Sequence, residues 1–504
     1  MGSRAGAAAF AAYCIVATGC GPSRSVNGQS GGQSTGDASS DSTSGAGPGS
    51  GETGGGEVPR LNAVSVAEMH GHSAGLRLGS WLLPGSVGGP VAVAADTGTK
   101  VFGINEFPEG TSSLGAALDN GSVSVADLEF DGLFDVGDVD GDGQHDVAVF
   151  FVGDDADDGA IAILGSSSVD FGPGLSLSES LMPIVGGSAD DRVEGQGLAT
   201  RYETNFGLSD LNDDGLGEML VWRHRPSIGH GFAIVPGGLQ PGRYALGDIE
   251  LASAASATIG LLAGPAGDFD GDGRDDVALF EGRGLASLPF AEELRVLDPI
   301  GASILDETFT LEGYPFAVGA RSSVDFNGDG MDELLIGQFG ISLLVAGGTS
   351  LRHHCLPDME IRYPPPSLES IQPRFGWALT PIPDVTGDGL PEIVVTAPNT
   401  DDELRPNDGR AGALFVISGA ATGNRLGYAG CSGQIESSDL EDLVQDGLAI
   451  EVAAPHASHD FGYRVAVAGG GLPPGEAHVV VSAPSASKDV DEGGALYLFS
   501  ISAD

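Results

Sequence analysis

Basic residues are scarce in this chain of 504 residues. Lysine and arginine together number 22, against 71 aspartates and glutamates, so the formal net charge is −49 at pH 7. Lysine occurs only at Lys100 and Lys488. Nucleic acids and anionic lipids attract proteins through clustered positive charge, so this balance argues against both as partners of the protein surface itself.

Cysteine is also rare, with four residues in the whole chain. Cys14 and Cys20 lie near the N-terminus, and Cys355 and Cys431 are the only pair in the remainder. If the protein is exported, a disulfide between Cys355 and Cys431 is one expectation, and two buried free thiols are the alternative. The sequence leaves both open.

Helical patterning is not evident, whereas 82 glycines and 29 prolines supply many turns. The segment Gly71–Gly75 matches the G-x-S-x-G nucleophile elbow with Ser73 at its centre. An elbow requires an α/β frame with helices between its strands, which this sequence does not predict. No glycine-rich phosphate loop follows a strand and opens a helix. We therefore expect no enzyme active site.

What the chain does contain is an acidic loop of the form D-x-[DN]-x-D-G-x-x-[DE], which occurs five times. Positions 1, 3, 5 and 9 are Asp138, Asp140, Asp142 and Asp146; Asp210, Asn212, Asp214 and Glu218; Asp268, Asp270, Asp272 and Asp276; Asp325, Asn327, Asp329 and Glu333; and Asp384, Thr386, Asp388 and Glu392. Position 6 is always glycine, and position 7 would offer the carbonyls of Gln144, Leu216, Arg274, Met331 and Leu390. Thr386 makes the last copy the weakest match.

Oxygens at every second residue of a tight turn converge on one point. A hard cation that takes six to eight oxygen ligands fits such a point, so the repeats predict about five Ca²⁺ ions. Glycine at position 6 suits a sharp bend that a side chain would strain. The alternative is a set of acidic surface turns that hold no metal.

The residues that follow each loop exclude an EF-hand, which needs a glutamate at position 12 and flanking helices. Position 12 is apolar in all five copies: Val149, Val221, Leu279, Ile336 and Val395. Short runs rich in β-branched residues begin there instead, at Val147, Met219, Val277, Leu334 and Ile393. Such runs after a glycine turn predict buried strands.

The same spacing reveals two further copies without acidic ligands. An apolar residue followed by a small one precedes the last three acidic loops by nine residues: Ile259-Gly260, Phe316-Ala317 and Phe375-Gly376. Phe461-Gly462 repeats this pair and predicts a loop from Gly470 to His478, and Ala74-Gly75 predicts one from Leu83 to Val91. The result is seven units of about 60 residues, and repeats of a few short strands each predict an all-β, seven-bladed β-propeller.

The last two units resemble the FG-GAP repeats of the integrin α-subunit propeller and its bacterial relatives. The residues that carry this resemblance are FGWALTPIPDVTGDGLPEIVVTAP from Phe375 and FGYRVAVAGGGLPPGEAHVVVSAP from Phe461. The resemblance covers roughly residues 70–504 and is strongest at the C-terminal end. It implies a seven-bladed propeller, to which we assign residues 61–504, with Ca²⁺ in the loops on one face and a role in adhesion or ligand binding. The first two acidic units lack a clear FG pair, which leaves their blade boundaries open.

The N-terminus predicts a processing signal and an anchor. Arg4 precedes an apolar stretch that is too short to span a membrane but suits a signal peptide over residues 1–20. The stretch ends in Ala17-Thr18-Gly19-Cys20, which resembles a bacterial lipobox with Cys20 as the lipidated residue. An ordinary secretory signal is the alternative. Residues 21–60 are rich in glycine and serine and predict a flexible linker.

Two classes of function fit these features. The first is a calcium-binding propeller that is exported, held by lipid at the bacterial outer membrane or cell surface, and binds a protein or glycan ligand. The second is a hydrolase or lyase that uses the propeller as a frame. A structural envelope lipoprotein differs from the first class only in its partner.

Overall fold

The protein is described from a computed structural model. The described residues are 60–84, 91–96, 98–151, 159–164, 182–188, 190–193, 206–227, 229–256, 262–281, 293–298, 307–310, 321–338, 341–345, 347–348, 359–362, 375–401, 411–419, 436–454, 460–469, 474–486 and 493–503. They belong to one compact unit, Glu57–Asp504. The predicted signal peptide, the linker up to residue 59, and Cys20, Cys355 and Cys431 lie outside the described residues.

The described strands form seven sheets, which we call blades 1 to 7. Blade 1 contains Trp81–Pro84, Ala92–Ala95, Lys100–Ile104 and Val123–Asp127. Blade 2 contains Gly132–Asp135, Val147–Phe151, Ala160–Leu164, Pro183–Gly186 and Gly242–Ala245. Blade 3 contains Arg192–Val193, Gly207–Leu208, Glu218–Arg225, Gly229–Val235 and Ala252–Ser256. Blade 4 contains Leu262–Gly267, Asp276–Glu281, Glu293–Leu297 and Glu307–Thr310.

Blades 5 to 7 complete the ring. Blade 5 contains Arg321–Val324, Glu333–Gln338, Ile341–Val345, Met359–Arg362 and Glu436–Asp439. Blade 6 contains Leu379–Ile382, Glu392–Asp401, Ala411–Ile417 and Ala449–Ala453. Blade 7 contains Arg464–Val467, Glu476–Ala483, Ala495–Ala503, Leu61–His70 and Gly110–Ser113. The seven-bladed propeller predicted from the sequence is therefore confirmed.

The run after each acidic loop forms a strand, as predicted, and this strand is the second of its blade. Val147–Phe151 is buried over its first four residues, and Val277, Leu335 and Val395 are likewise buried in their strands. These strands have a neighbour on both edges and a blade on both faces, so apolar β-branched side chains suit every position.

Apolar side chains between successive blades form the core of the ring. Phe134 of blade 2 packs in one cluster with Val221 and Phe232 of blade 3, and the ring of Phe134 contacts that of Phe206 edge-on. Equivalent clusters lie between blades 5 and 6, 6 and 7, 7 and 1, and 1 and 2. Through these clusters the blades bury their faces against neighbouring blades, which a single four-stranded sheet cannot do alone.

The two ends of the propeller unit meet in blade 7. Leu61–His70 pairs antiparallel with Ala495–Ala503, from Leu61 opposite Ala503 to His70 opposite Ala495, with a bulge between Ser65 and Ala67. Met69 of this strand is fully buried in the cluster between blades 7 and 1. Nothing in the sequence repeat predicts this pairing, since the segment precedes the first repeat.

Among the described residues, three blades receive a fifth strand from the next part of the chain. Gly110–Ser113, Gly242–Ala245 and Glu436–Asp439 each pair in parallel with the outer strand of blade 7, 2 or 5. A short helix follows each one directly, over Leu114–Asn120, Leu246–Ile249 and Leu440–Gln445. The first residue of each helix is a buried leucine. These segments cover sheet edges that would otherwise be open to pairing.

No helix within the described residues has the length and apolar character that a membrane crossing requires.

The FG pair has a defined structural role. Phe375 and Phe461 are fully buried, and the N–H groups of Gly376 and Gly462 donate to the carbonyls of Thr396 and Ser482 on the second strand, each at 3.0 Å. Both glycines have φ above +80°, where other residues are strained. The pair therefore anchors the chain to the second strand before the first strand begins.

In blade 1 the equivalent pair is Leu78-Gly79, and the predicted pair Ala74-Gly75 was wrong. Leu78 is fully buried, and the Gly79 N–H donates to the Ala95 carbonyl at 3.1 Å. Leu83, the predicted start of the loop, lies in a strand opposite Val93. The next residue, Pro84, pairs with Ala92, which leaves seven residues between them. The nine-residue frame from Leu83 to Val91 does not fit this shorter hairpin.

Candidate metal centre

Each acidic loop joins the first strand of a blade to its second. Glu218, Asp276, Glu333 and Glu392, at position 9 of their loops, are also the first residues of second strands, and Asp146 stands one residue before its strand. All five side chains are buried, with at most 2% of their surface exposed. A carboxylate is rarely buried without a hydrogen-bond or ionic partner, so the groups around each of these side chains determine its charge and its ability to bind a metal.

The carboxylate at position 9 accepts hydrogen bonds from the start of its own loop. The N–H of position 2 donates to it at 3.0 Å in Asp146, 2.6 Å in Glu218 and 2.8 Å in both Glu333 and Glu392. Its other oxygen accepts from position 3 at 2.8 Å in three copies, from Asn212, Asn327 and Thr386. The hydroxyl of Thr386 thus takes over the contact that the asparagine amides make.

The side chains at positions 1 and 5 stabilise the turn of the loop by accepting hydrogen bonds from backbone N–H groups. The aspartate at position 1 accepts from the N–H of the glycine at position 6, at 2.7–3.0 Å in the five copies. The aspartate at position 5 accepts from the N–H of position 7, at 2.8–3.0 Å. The glycine at position 6 has φ between 84° and 92° throughout, which explains its presence in every copy.

Carboxylate oxygens converge in four of the five loops. One oxygen from each of three residues lies within 4.8 Å of the others in the sets Asp138, Asp140 and Asp146; Asp210, Asp214 and Glu218; Asp268, Asp270 and Asp272; and Asp384, Asp388 and Glu392. Ligands at 2.3–2.6 Å from one Ca²⁺ lie within about 5 Å of each other, so this spacing fits the ion. Among the described residues, the copy from Asp325 does not form such a set.

Buried oxygens without a hydrogen-bond partner add to this fit. Within the described part of the chain they include Asn212 Oδ1, Asp268 Oδ1 and Asp276 Oδ2, at positions 3, 1 and 9 of their loops. An unsatisfied buried acceptor costs about 1–3 kcal/mol, and more when it is charged. A cation would satisfy these oxygens, and the residues present are hard oxygen donors of the kind that Ca²⁺ prefers.

The loops hold carboxylates that are difficult to ionise without a cation. Burial raises the pKa of Glu218 and Glu392 to about 7 and that of Asp276 and Glu333 to about 8. Repulsion from the other carboxylates of the same loop adds to the shift in each case. Each of these loops therefore favours a bound proton or metal ion over a state in which all of its carboxylates are ionised and unpaired.

These shifts predict how the stability of the metal-free protein depends on pH. Unfolded glutamate and aspartate titrate near pH 4, so between about pH 4.5 and 8 the folded state holds more protons than the unfolded state. The free energy of unfolding should therefore fall as pH rises through this range. In EDTA, the melting temperature should be lower at pH 8 than at pH 5.5. Glu333→Gln should flatten this slope, and a melting temperature that rises towards pH 8 would contradict the prediction.

Neighbouring loops contact each other across blades 2 to 5. The Gly217 N–H donates to the Asp138 carbonyl at 3.0 Å. Asp275 Oδ2 accepts from the Ser209 N–H at 2.7 Å, and Asp332 Oδ2 accepts from the Asp268 N–H at 3.2 Å. These contacts come from position 8, which the sequence pattern treats as variable. The acidic residues at position 8 of two successive copies are the sequence feature that could have predicted these contacts.

The other sequence predictions have different outcomes. Ser73 lies in a turn that follows the blade 7 strand Leu61–His70, so the elbow-like sequence belongs to the propeller and not to an α/β frame. The loop from Gly470 to His478 is described only from residue 474 onwards, and Gly475 at its position 6 has φ of 84°. The pairs at 259–260 and 316–317 lie outside the described residues.

The chain is similar to one family model and to several solved structures. The FG-GAP repeat model matches residues 375–417, which form the FG pair, loop and first three strands of blade 6. No curated protein matches the chain. Structures similar to this chain include BBS1N in complex with ARL6DN, at a TM-score of 0.41 and 10% identity, covering 86% of this chain and 97% of that one.

Two bacterial proteins give partial structural similarity. The Vibrio cholerae biofilm matrix protein Bap1 matches at a TM-score of 0.26 and 17% identity, covering 57% of this chain and 37% of that one. The Bacillus licheniformis rhamnogalacturonan lyase PL11 matches at a TM-score of 0.31 and 15% identity, covering 56% and 48%. The FG-GAP match, the buried FG pairs and the ring of seven blades identify the protein as an FG-GAP-like seven-bladed β-propeller.

Proposed function

We propose that this propeller is a calcium-stabilised binding or adhesion module that carries about five Ca²⁺ ions. An FG-GAP propeller supports a binding or adhesion-type module in general. The observation that carries the calcium proposal is the convergence of three carboxylates from positions 1, 3, 5 and 9 in four of the five loops, beside a position 9 carboxylate that is buried in all five. Side chains at positions 1, 3, 5 and 9 and the carbonyl at position 7 would hold the ion, whose charge offsets their repulsion.

The number and location of bound ions test this proposal. Calorimetric titration of the EDTA-stripped protein should give about five Ca²⁺ per chain. A structure solved in ample Ca²⁺ should show an ion in each of the five acidic loops. The hairpin between Pro84 and Ala92 and the loop from Gly470 to His478 should hold none, because the first contains no carboxylate and the second has none at position 1, 3, 5 or 9. Density for a cation in either ligand-free loop would contradict the ligand assignment.

We propose further that lipid on Cys20 holds the propeller at the bacterial outer membrane or cell surface. The support is the apolar stretch that ends in Ala17-Thr18-Gly19-Cys20, followed by the glycine- and serine-rich linker. Because a flexible linker isolates the anchor from the ring, Cys20→Ala should release the protein from the membrane fraction without changing its melting temperature. A mutant that still sediments with membranes after a salt wash would rule out this anchor. Ser23→Ala is the matched control.

The ligand of the module would be a protein or a glycan at the cell surface. A net charge of −49 is reduced by only ten if five calcium ions bind, so the surface stays strongly acidic. Affinity capture with the soluble propeller, in Ca²⁺ and in EDTA, would identify partners that need the metal-bound ring. If partners are captured equally well in EDTA, ligand binding does not depend on the calcium sites.

A further inference from the structure

Blade 4 places an additional carboxylate beside its metal loop. Asp298 follows the strand Glu293–Leu297, and Leu297 pairs with Val277 of the second strand. One more step along this antiparallel ladder brings Asp298 across from Asp276, at position 9 of the loop. Directly opposed residues on antiparallel strands point to the same side of the sheet, with Cβ atoms about 4.5–5.5 Å apart.

The charge of Asp298 acts on the loop residues. Burial and the neighbouring Asp270 contribute most to the raised pKa of Asp272 and Asp276, and repulsion from Asp298 raises both pKa values further. Asp298 therefore lies within electrostatic range of positions 5 and 9. The nine-residue pattern does not include it, because it comes from another strand.

A buried oxygen at the same place points to a ligand. Asp276 is 2% exposed, and its Oδ2 has no hydrogen-bond partner among the described residues. The carboxylates of Asp268, Asp270 and Asp272 converge in the same loop. A cation is the group that would satisfy an unpaired carboxylate oxygen among like charges.

The other four loops have no counterpart to Asp298. Val147, Met219, Leu334 and Ile393, the residues after position 9, pair with Leu164, Val235, Val345 and Ile417. The residues that follow those partners in the sequence are Gly165, Pro236, Ala346 and Ser418. None of them has a carboxylate, so blade 4 has one more acidic side chain at its loop than the pattern supplies.

We propose that Asp298 is a metal ligand from outside the loop and makes the blade 4 site the tightest of the five. The proposal rests on the proposed function, in which these loops bind Ca²⁺. Asp268, Asp270, Asp272, Asp276 and Asp298 would together give this site five carboxylates. At positions 1, 3, 5 and 9, the copy from Asp138 has four and the copies from Asp210, Asp325 and Asp384 have three each. The number of charged ligands is one of the features that set the affinity of a calcium site.

Calorimetric titration of the full chain with Ca²⁺, after stripping with EDTA, tests this assignment with two substitutions. Asp298→Asn removes the charge, and Asp298→Glu keeps the charge but displaces the oxygens. Both should weaken the tightest class, one ion per chain, by about tenfold or more. Glu293→Gln, which removes a charge at the other end of the same strand, should leave that class unchanged.

Melting curves show whether Asp298 is a metal ligand or a residue that stabilises the fold without metal. In EDTA, Asp298→Asn should melt at or above the wild-type temperature, because it removes repulsion within the loop. A lower melting temperature in EDTA as well as in Ca²⁺ would mean a structural role and would overturn the proposal. An unchanged Ca²⁺ affinity of the tightest class in Asp298→Glu would also overturn the proposal. It would show that Asp298 acts only through its charge and does not bind the ion. If the wild type binds no Ca²⁺ at all, the proposed function itself fails.

Discussion

Removal of calcium is expected to lower the melting temperature of this protein by more than about 10 °C. A ligand that binds only the folded state adds about 2.7 kcal/mol per site at a hundredfold excess over Kd. Five sites would together exceed the lower part of the 5–15 kcal/mol range that is typical of a whole domain. Each kcal/mol shifts the melting temperature by about 2–4 °C in domains of 150–250 residues, and by less in a larger ring.

The measurement compares thermal melts in EDTA, in millimolar Ca²⁺ and in millimolar Mg²⁺. Mg²⁺ provides the matched screening of surface charge, but it demands a smaller octahedral site and dehydrates reluctantly. The curve in Mg²⁺ should therefore lie near the curve in EDTA. Asp272→Ala should lose only part of the calcium effect, because it alters one loop of five. Superimposable curves in EDTA and Ca²⁺ would mean that the loops are acidic turns and not calcium sites.

The features predicted well from the sequence are local. A strand follows each loop because the runs from Val147 and Ile393 combine β-branched residues with a glycine turn just before them. The role of the glycine at position 6 follows from one residue and its φ, which is 84° in Gly143 and 89° in Gly389. Neither inference depends on where the rest of the chain lies.

The errors and omissions concern spacing and distant partners. A fixed nine-residue spacing led to Ala74-Gly75, whereas the hairpin between Pro84 and Ala92 is shorter and the anchoring glycine is Gly79. Asp332 and Asp298 act across strands or blades, so a pattern read along one loop cannot include them. The parallel strands Gly110–Ser113 and Glu436–Asp439 are too short to show a period of their own.

Loss of the strand Leu61–His70 is expected to destroy the cooperative fold. This strand supplies the pairing partner of Ala495–Ala503 and buries Leu61, Ala67 and Met69. Burial of a leucine or methionine side chain contributes about 1.5–3 kcal/mol each, and each ladder hydrogen bond about 1 kcal/mol net. Their total is comparable with the stability of a typical domain. The open edge of blade 7 would also favour aggregation.

Two truncations isolate this effect. A chain that begins at Arg60 lacks the signal and linker but keeps the whole strand, and it should melt like the full protein in Ca²⁺. A chain that begins at Gly71 lacks the strand as well, and it should show no cooperative transition and elute as aggregates. Adding a peptide of residues 61–70 should partly restore the transition, because the pairing needs no covalent link. If the shorter chain melts within about 5 °C of the longer one, pairing between the two ends does not hold the ring together.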